Sequence, residues 1–436
     1  MEFTIIGIVA VLVVLFAIFK QKKDILLYAA VFFTGFTGSS VFNISGVSIQ
    51  PSYFFFILYF IVIVYQGLTS TKKKRVEFPK MFTIFLVYCA LTLLCTVILQ
   101  NNEIIILNQK DKYVNLTFTQ SNIIHVGYML LCYLFYVVLI NRRERIKLRE
   151  NLFKAYRYGV IAVIIICLYQ LLAFQWNLPF DIIFRQGVHG NVQGKRLYGP
   201  CFEASLLSYY LAPSIFLLLL NIDKHKRDFI WIALGIIIGV LCYSSTFFVG
   251  LVLSVICLII RFAMHAKDRR TINYFIGLIT ITATIIIAIV FRWDDVEKVI
   301  VEFINKIGAK NVSGSIRTEA FQRMSIIGFQ YPFGVGFGSS RSKDLLSTWL
   351  CNIGIVGVFI FTAMLISYMN KCLKKNRFFE CLPFVICIIL AGISVPEPYN
   401  LFIWLLMFFG MYGTEGKKIA KSRDSIDGQL YQLWWN

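Results

Sequence analysis

Apolar residues in this chain come in long blocks rather than in the two- or 3.6-residue alternation of half-buried soluble elements. Such blocks lie near residues 3–19, 25–42, 53–68, 81–99, 122–140, 159–176, 201–220, 229–243, 247–260, 274–291, 346–369, 381–395 and 399–413. A helix needs about 20 mostly apolar residues to cross a bilayer core. The pattern therefore predicts about 12–13 transmembrane helices, with the short blocks on either side of 244–248 and 396–400 as the least regular.

Polar punctuation between the blocks is itself ordered. Lys/Arg clusters near 20–23, 72–75, 142–149, 224–227, 267–270, 371–377 and 417–423 each follow an odd-numbered block, which places 30 of the 43 basic residues on one side. Because cytoplasmic loops carry the excess of Lys and Arg, the N-terminus is expected outside and the C-terminus in the cytoplasm. The first block lacks a basic leading segment and a small-residue cleavage site before Lys20, so it reads as a retained helix.

Composition agrees. The 436 residues are 58% hydrophobic and only 15% charged, against about 25% charged in soluble domains. A net charge of +20 in so apolar a chain marks neither disorder nor a nucleic-acid partner. The cytoplasmic segments carry nearly all of that excess, facing anionic membrane lipids. The cysteines fall almost entirely inside blocks, and His125, His189, His225 and His265 are scattered, so neither a disulfide framework nor a metal site is indicated. One polytopic domain over 1–436, ending in a cytoplasmic tail at 414–436, is the expected organisation.

Three outer connections are long: 100–121, 177–199 and 292–345. Connections beyond about 12–15 residues are usually functional or disordered. In the longest, Val296, Val299, Ile300, Phe303, Ile304 and Ile307 recur at helical spacing, for a helix lying on the membrane or over the bundle. A second helix is expected from 315 to 329, with Ile316, Ala320, Phe321, Met324 and Ile327 as its apolar stripe and Arg317 and Arg323 on other faces. Gly334, Gly336 and Gly338 follow, either as an anion-binding run of N–H groups or as a tight turn into the next span.

The loop at 177–200 is basic and glycine-rich. It carries Arg185, His189, Lys195, Arg196 and Tyr198 and runs into Glu203 at the start of a block. A carboxylate there calls for a polar cavity or a partner, and Arg196 is the nearest cation, for a structural or a catalytic pair. Arginines beside glycine-rich backbone on two outer loops suit a phosphorylated anion, which guanidinium groups grip in a bidentate fork. No GxxxxGK[ST], GxSxG or HExxH sequence is present.

Arg196-Leu197-Tyr198-Gly199-Pro200-Cys201-Phe202-Glu203-Ala204-Ser205 resembles a segment of the O-antigen polymerase and O-antigen ligase superfamily. A second stretch is also similar to that superfamily. It runs from Arg317 through Pro332-Phe333-Gly334-Val335-Gly336-Phe337-Gly338 to Gly354-Ile355-Val356-Gly357. Arg317 and Gly328 also fit an Arg-x10-Gly spacing seen in the polymerases, whereas Lys343 and Asn352 stand where the ligases carry a histidine and a glutamate. The resemblance implies an all-α membrane bundle related to the C-type glycosyltransferases, in a bacterial inner (plasma) membrane, acting in lipopolysaccharide-type polysaccharide synthesis.

It further implies a metal-independent transfer, without a cofactor, of a growing glycan from polyprenyl pyrophosphate to a carrier-linked repeat unit. In that scheme Arg185, Arg196, Tyr198, Arg317, Arg323 and Arg341 hold the pyrophosphate, and Glu203 or His189 is the general base. A polyprenyl-pyrophosphate-linked oligosaccharide is then the substrate, and a chain-length regulator and a flippase are candidate partners. The competing readings are a ligase-type transferase, a lipid-linked oligosaccharide flippase and a coupled transporter.

Overall fold

The computed structural model describes residues 2–44, 47–70, 75–108, 111–142, 144–184, 196–264 and 312–412. The block at 274–291, the amphipathic stretch at 296–307 and the tail at 414–436 lie outside these residues.

Every described block contains a helix, although the one at 25–42 is helical only in its first part. The helices are α1 (Ile5–Phe19), α2 (Asp24–Phe32), α3 (Pro51–Thr69), α4 (Lys80–Leu91), α5 (Leu93–Leu99), α6 (Gln120–Ile140), α7 (Arg145–Trp176) and the short α8 (Asp181–Phe184). They continue as α9 (Ala204–Leu220), α10 (Asp228–Leu241), α11 (Ser245–Met264), α12 (Val312–Gln330), α13 (Leu345–Lys374), α14 (Phe378–Ser394) and α15 (Leu401–Met411). Among the described residues six are long and apolar enough to cross a membrane: α3, the α4–α5 unit, α6, α7, α11 and α13.

The others expected to span are shorter, and packing explains two of them. Every residue of α15 is buried, as are nearly all of α9, so both are wrapped by protein and need not match a lipid thickness. Phe82 of α4 stacks on Trp404 of α15 with ring centroids 4.2 Å apart, deep in the main core.

Three features depart from the sequence expectation. The basic stretch after residue 144 is the first part of α7 rather than a loop, because its cations are neutralised by acids of neighbouring segments. The bundle is mostly helical but carries a three-stranded antiparallel sheet, β1 (Glu2–Phe3), β2 (Phe42–Ile44) and β3 (Val47–Ile49). A hairpin of β4 (Ile105–Leu107) and β5 (Tyr113–Asn115) occupies the 100–121 connection. That hairpin and α12 share a small core of their own, with Ile104, Ile106, Leu116, Ala320 and Met324 buried together.

The glycine run is a structural clasp, not an anion cradle. Gly354 breaks α13 with φ +65°, and a Cβ there would fall 2.0 Å from the Pro332 carbonyl oxygen. The break frees carbonyls that the glycine run then takes up. Val335 N–H donates to Cys351 O and Gly336 N–H to Asn352 O, while Val356 N–H donates to Pro332 O. Gly334, Gly336 and Gly338 have φ of +83°, +112° and +78°, conformations open to glycine at little cost. The Asn352 side chain closes the clasp, accepting from Ser340 N–H and donating to Ser340 O. With these N–H groups satisfied, the run fixes where Arg341, Lys343 and Asp344 emerge.

Candidate functional site

Five segments remote in sequence line one cavity of about 730 Å3. They are the approach to α9, the α10–α11 corner, α12, the start of α13 and the end of α14. Arg196, Glu203, Arg317, Lys343 and Asp344 supply its charge, and Ser205, Ser244, Ser245, Thr246 and Thr318 its hydroxyls. Val249, Phe321, Leu346, Leu390 and Ile393 form an apolar wall. Both arginine-bearing connections singled out in the sequence therefore contribute to the same space.

Arg196 and Glu203 share the cavity but do not pair with each other as expected. Arg196 caps the C-terminal end of α10 instead: Nε donates to Cys242 O at 3.3 Å and an Nη donates to Tyr243 O. Carbonyls at a helix C-terminus lack intrahelical donors and carry partial negative charge, so a guanidinium satisfies both needs. Those bonds use two of its five N–H donors. Glu203 is the N-cap residue of α9, extended at φ −151° and ψ 165°, with an exposed side chain that accepts from the Ser205 hydroxyl.

Arg317 projects from the exposed face of α12 into the cavity, while Ala320 and Met324 bury the opposite face. Lys343 reaches Asp111 of the hairpin connection at 2.5 Å. Asp344 caps α13: one carboxylate oxygen accepts from Ser347 N–H and the other from Ser347 Oγ, both at 2.7 Å. Burial pushes the Asp344 carboxyl above its ordinary value, against the opposing pull of the Ser347 bonds and of Arg317.

Three expected ligands lie elsewhere. Arg341 pairs with Glu397 at 2.8 Å, and its backbone N–H donates to Leu107 O, tying the glycine clasp to the hairpin. Burial lowers its pKa, but Glu397, and to a lesser degree Glu203 and Asp111, hold it above the usual arginine value. Arg323 pairs with Glu319 at 2.9 Å and sits over the Tyr113 ring at 4.9 Å, outside the cavity wall. Tyr198 is buried against Phe180, its hydroxyl donating to Asp181 at 2.8 Å. Arg185 and His189 lie outside the described residues.

Sequence reasoning missed Asp344, Asp111 and Glu397. Only Asp344 had a usable local signal, as an N-cap residue directly before an apolar run. The chain matches no protein-family model, and no curated protein aligns with it.

Proposed function

We infer that this chain is a membrane-embedded glycosyltransferase that polymerises a lipid-linked glycan. It transfers the growing chain from a polyprenyl-pyrophosphate carrier to a carrier-linked repeat unit. The observation that carries the reading is the mixed character of the cavity: three cations, two carboxylates and an apolar wall around one space. Such a space suits a substrate that is at once anionic and lipidic. The cavity lies at the opposite end of α14 from the Glu380 cluster, where basic residues gather. By the positive-inside bias that end is cytoplasmic, so the cavity faces outward and the N-terminus lies outside.

Chemically, an acceptor hydroxyl attacks the anomeric carbon of the donor sugar, the bond from that carbon to the pyrophosphate oxygen breaks, and the hydroxyl proton passes to a base. Arg317 and Arg196, with Lys343, are placed to offset the charge that develops on the leaving pyrophosphate. Fixed donors of this kind are often the largest catalytic contribution. Glu203 is the better base of the two cavity carboxylates, because both Asp344 oxygens are committed to Ser347. Arg341 and Tyr198 become supports of the scaffold in this scheme rather than ligands.

The test is a chromosomal deletion in the native host, with surface glycan resolved by size. A polymerase deletion leaves single repeat units displayed and removes long chains, and plasmid-borne Arg317→Ala fails to restore them. Loss of all surface glycan would assign the chain to lipid-linked oligosaccharide flipping instead.

A further inference from the structure

A second groove, of about 490 Å3, runs along one face of α13. Phe359, Ile366, Ser367, Asn370, Lys371 and Lys374 line it, and among the described residues its whole lining belongs to that helix. Phe359 (73% exposed) and Ile366 (54%) stand open beside it, while Phe361, Met364 and Tyr368 bury the opposite face. From Phe359 to Lys374 the groove is about 22 Å long, at 1.5 Å per residue. Half of a bilayer with its headgroup layer is about 20–22 Å thick. The groove therefore has the length of one leaflet, apolar toward the bilayer centre and cationic at the Glu380 end.

That cationic end is short of counter-charge. Residues 370–377 hold four cations and no carboxylate. Lys371 and Lys374 are exposed and enter no ion pair among the described residues, whereas Arg149 at the same end is matched to Glu380. Lys375 and Arg377 are taken up by the end of α15, over the Tyr412 ring at 5.4 Å and onto the Met411 carbonyl. Burial lowers the Lys375 pKa, and Arg377, Arg145 and Lys371 lower it further, with Cys372 opposing. Like charges that depress one another in this way favour an anion beside them. Ser367 and Asn370 add a hydroxyl and an amide whose side chains make no hydrogen bond among the described residues. Polar groups on a membrane span usually face a partner.

We propose that this groove binds one anionic phospholipid of the cytoplasmic leaflet. Its phosphate sits on Lys371 and Lys374, and an acyl chain lies along Ile366 and Phe359. Length and charge complementarity select this occupant, because anionic headgroups of that leaflet attract basic residues at the end of a span. A second helix laid along the groove would bury both lysines unless it brought carboxylates of its own. Asn370 donates to a phosphate or ester oxygen. The bound phosphate supplies the counter-charge that residues 370–377 lack. The site lies at the opposite end of α14 from the cavity and takes no part in the transfer chemistry.

The experiment measures binding of phosphatidylglycerol, phosphatidylcholine and inorganic phosphate to the purified full-length chain in detergent, by native mass spectrometry. Wild type is compared with Lys371→Gln/Lys374→Gln and with Ala363→Trp, which fills the groove. Lys20→Gln/Lys22→Gln removes the same charge at another basic turn. Phosphatidylglycerol affinity is expected to fall by about tenfold or more in the groove pair, the scale of two lysines at an anionic surface. It falls in Ala363→Trp as well and stays within about twofold in the control pair. All variants keep the wild-type unfolding midpoint in lipid-free detergent. Unchanged affinity in the groove pair, or equal losses in both lysine pairs, overturns the site. Equal binding of the two lipids by wild type overturns it too. Inorganic phosphate that binds as well as phosphatidylglycerol leaves a bare anion site and overturns the lipid. A dimer that Ala363→Trp disrupts, with no lipid retained, gives the groove to a second copy of the chain and also overturns the proposal.

Discussion

α14 carries Glu380 in its first turn, within one group of charges, and ends at Ser394 beside another, and the two groups are built on different rules. At the Glu380 end, cations are matched to carboxylates of neighbouring segments. Arg142 pairs with Asp24, Arg145 with Glu77 at 2.8 Å, Arg149 with Glu380 at 3.8 Å and Arg157 with Asp228. At the cavity end Lys343 also closes on a carboxylate, Asp111, but Arg196 is spent partly on backbone carbonyls, Arg317 is exposed to the void and Glu203 is bonded to a serine. Charges that close on one another hold helices together. Charges that open on a space are available to a ligand.

The largest effect expected from this contrast is on stability at the first end. Arg157 Nε lies 2.8 Å from both oxygens of Asp228, whose side chain is fully buried. Asp228→Ala leaves a guanidinium half-sheltered with no counter-charge, which costs about 3–5 kcal/mol for buried pairs. Thermal unfolding in detergent should show a large drop, with less folded protein in membranes. A midpoint unchanged from wild type would mean that the matched charges are not what holds α7 to α10.

The next effect should fall on activity and leave stability alone. Arg317 and Arg323 stand less than two turns apart on α12, yet only Arg317 faces the cavity. Arg317→Ala is expected to slow polymerisation by about a hundredfold or more, the scale of one lost donor to a developing anion. Arg323→Ala removes an exposed pair with Glu319, worth about 0–1 kcal/mol, and a contact over the Tyr113 ring, both outside the cavity. In-vitro polymerisation with both variants at matched protein level separates them. Equal losses would erase the distinction between the cavity arginine and its neighbour.

Long apolar blocks made the helices legible from sequence, since block length alone nearly sets where a helix can lie. Of the apolar stripe expected at helical spacing on α12, Ala320, Met324 and Ile327 form its buried face, whereas Ile316 and Phe321 are exposed. What could not be read was which partner each charge would take. Arg196 has Glu203 seven residues away, but its donors go to Cys242 and Tyr243, carbonyls exposed only because α10 ends there. The run at 145–157 looked like a solvated loop because the acids that neutralise it sit on three other segments. The three alternating glycines suited an anion as well as a turn until their neighbours' N–H groups were found bonded to the break at Gly354.

The smallest effect concerns Asp344, the cavity carboxylate that is held rather than free. Its folded-state pKa lies above the ordinary carboxyl value of 3.8, chiefly through burial. The folded chain therefore binds this proton more tightly than the unfolded chain does. Between 3.8 and the raised folded value, stability falls as pH rises, by at most about 1.4 kcal/mol per unit for a single group. Above the folded value the loss is complete and constant. Asp344→Asn keeps a good N-cap acceptor for Ser347 N–H and removes the titration. Its unfolding midpoint, followed from neutral pH downward, should lack the gain that wild type shows on acidification toward 3.8. A wild-type curve and an Asn curve that run parallel would show that burial at the mouth of α13 is offset in full by Ser347 and Arg317. Asp344 would then belong with the matched charges of the opposite end.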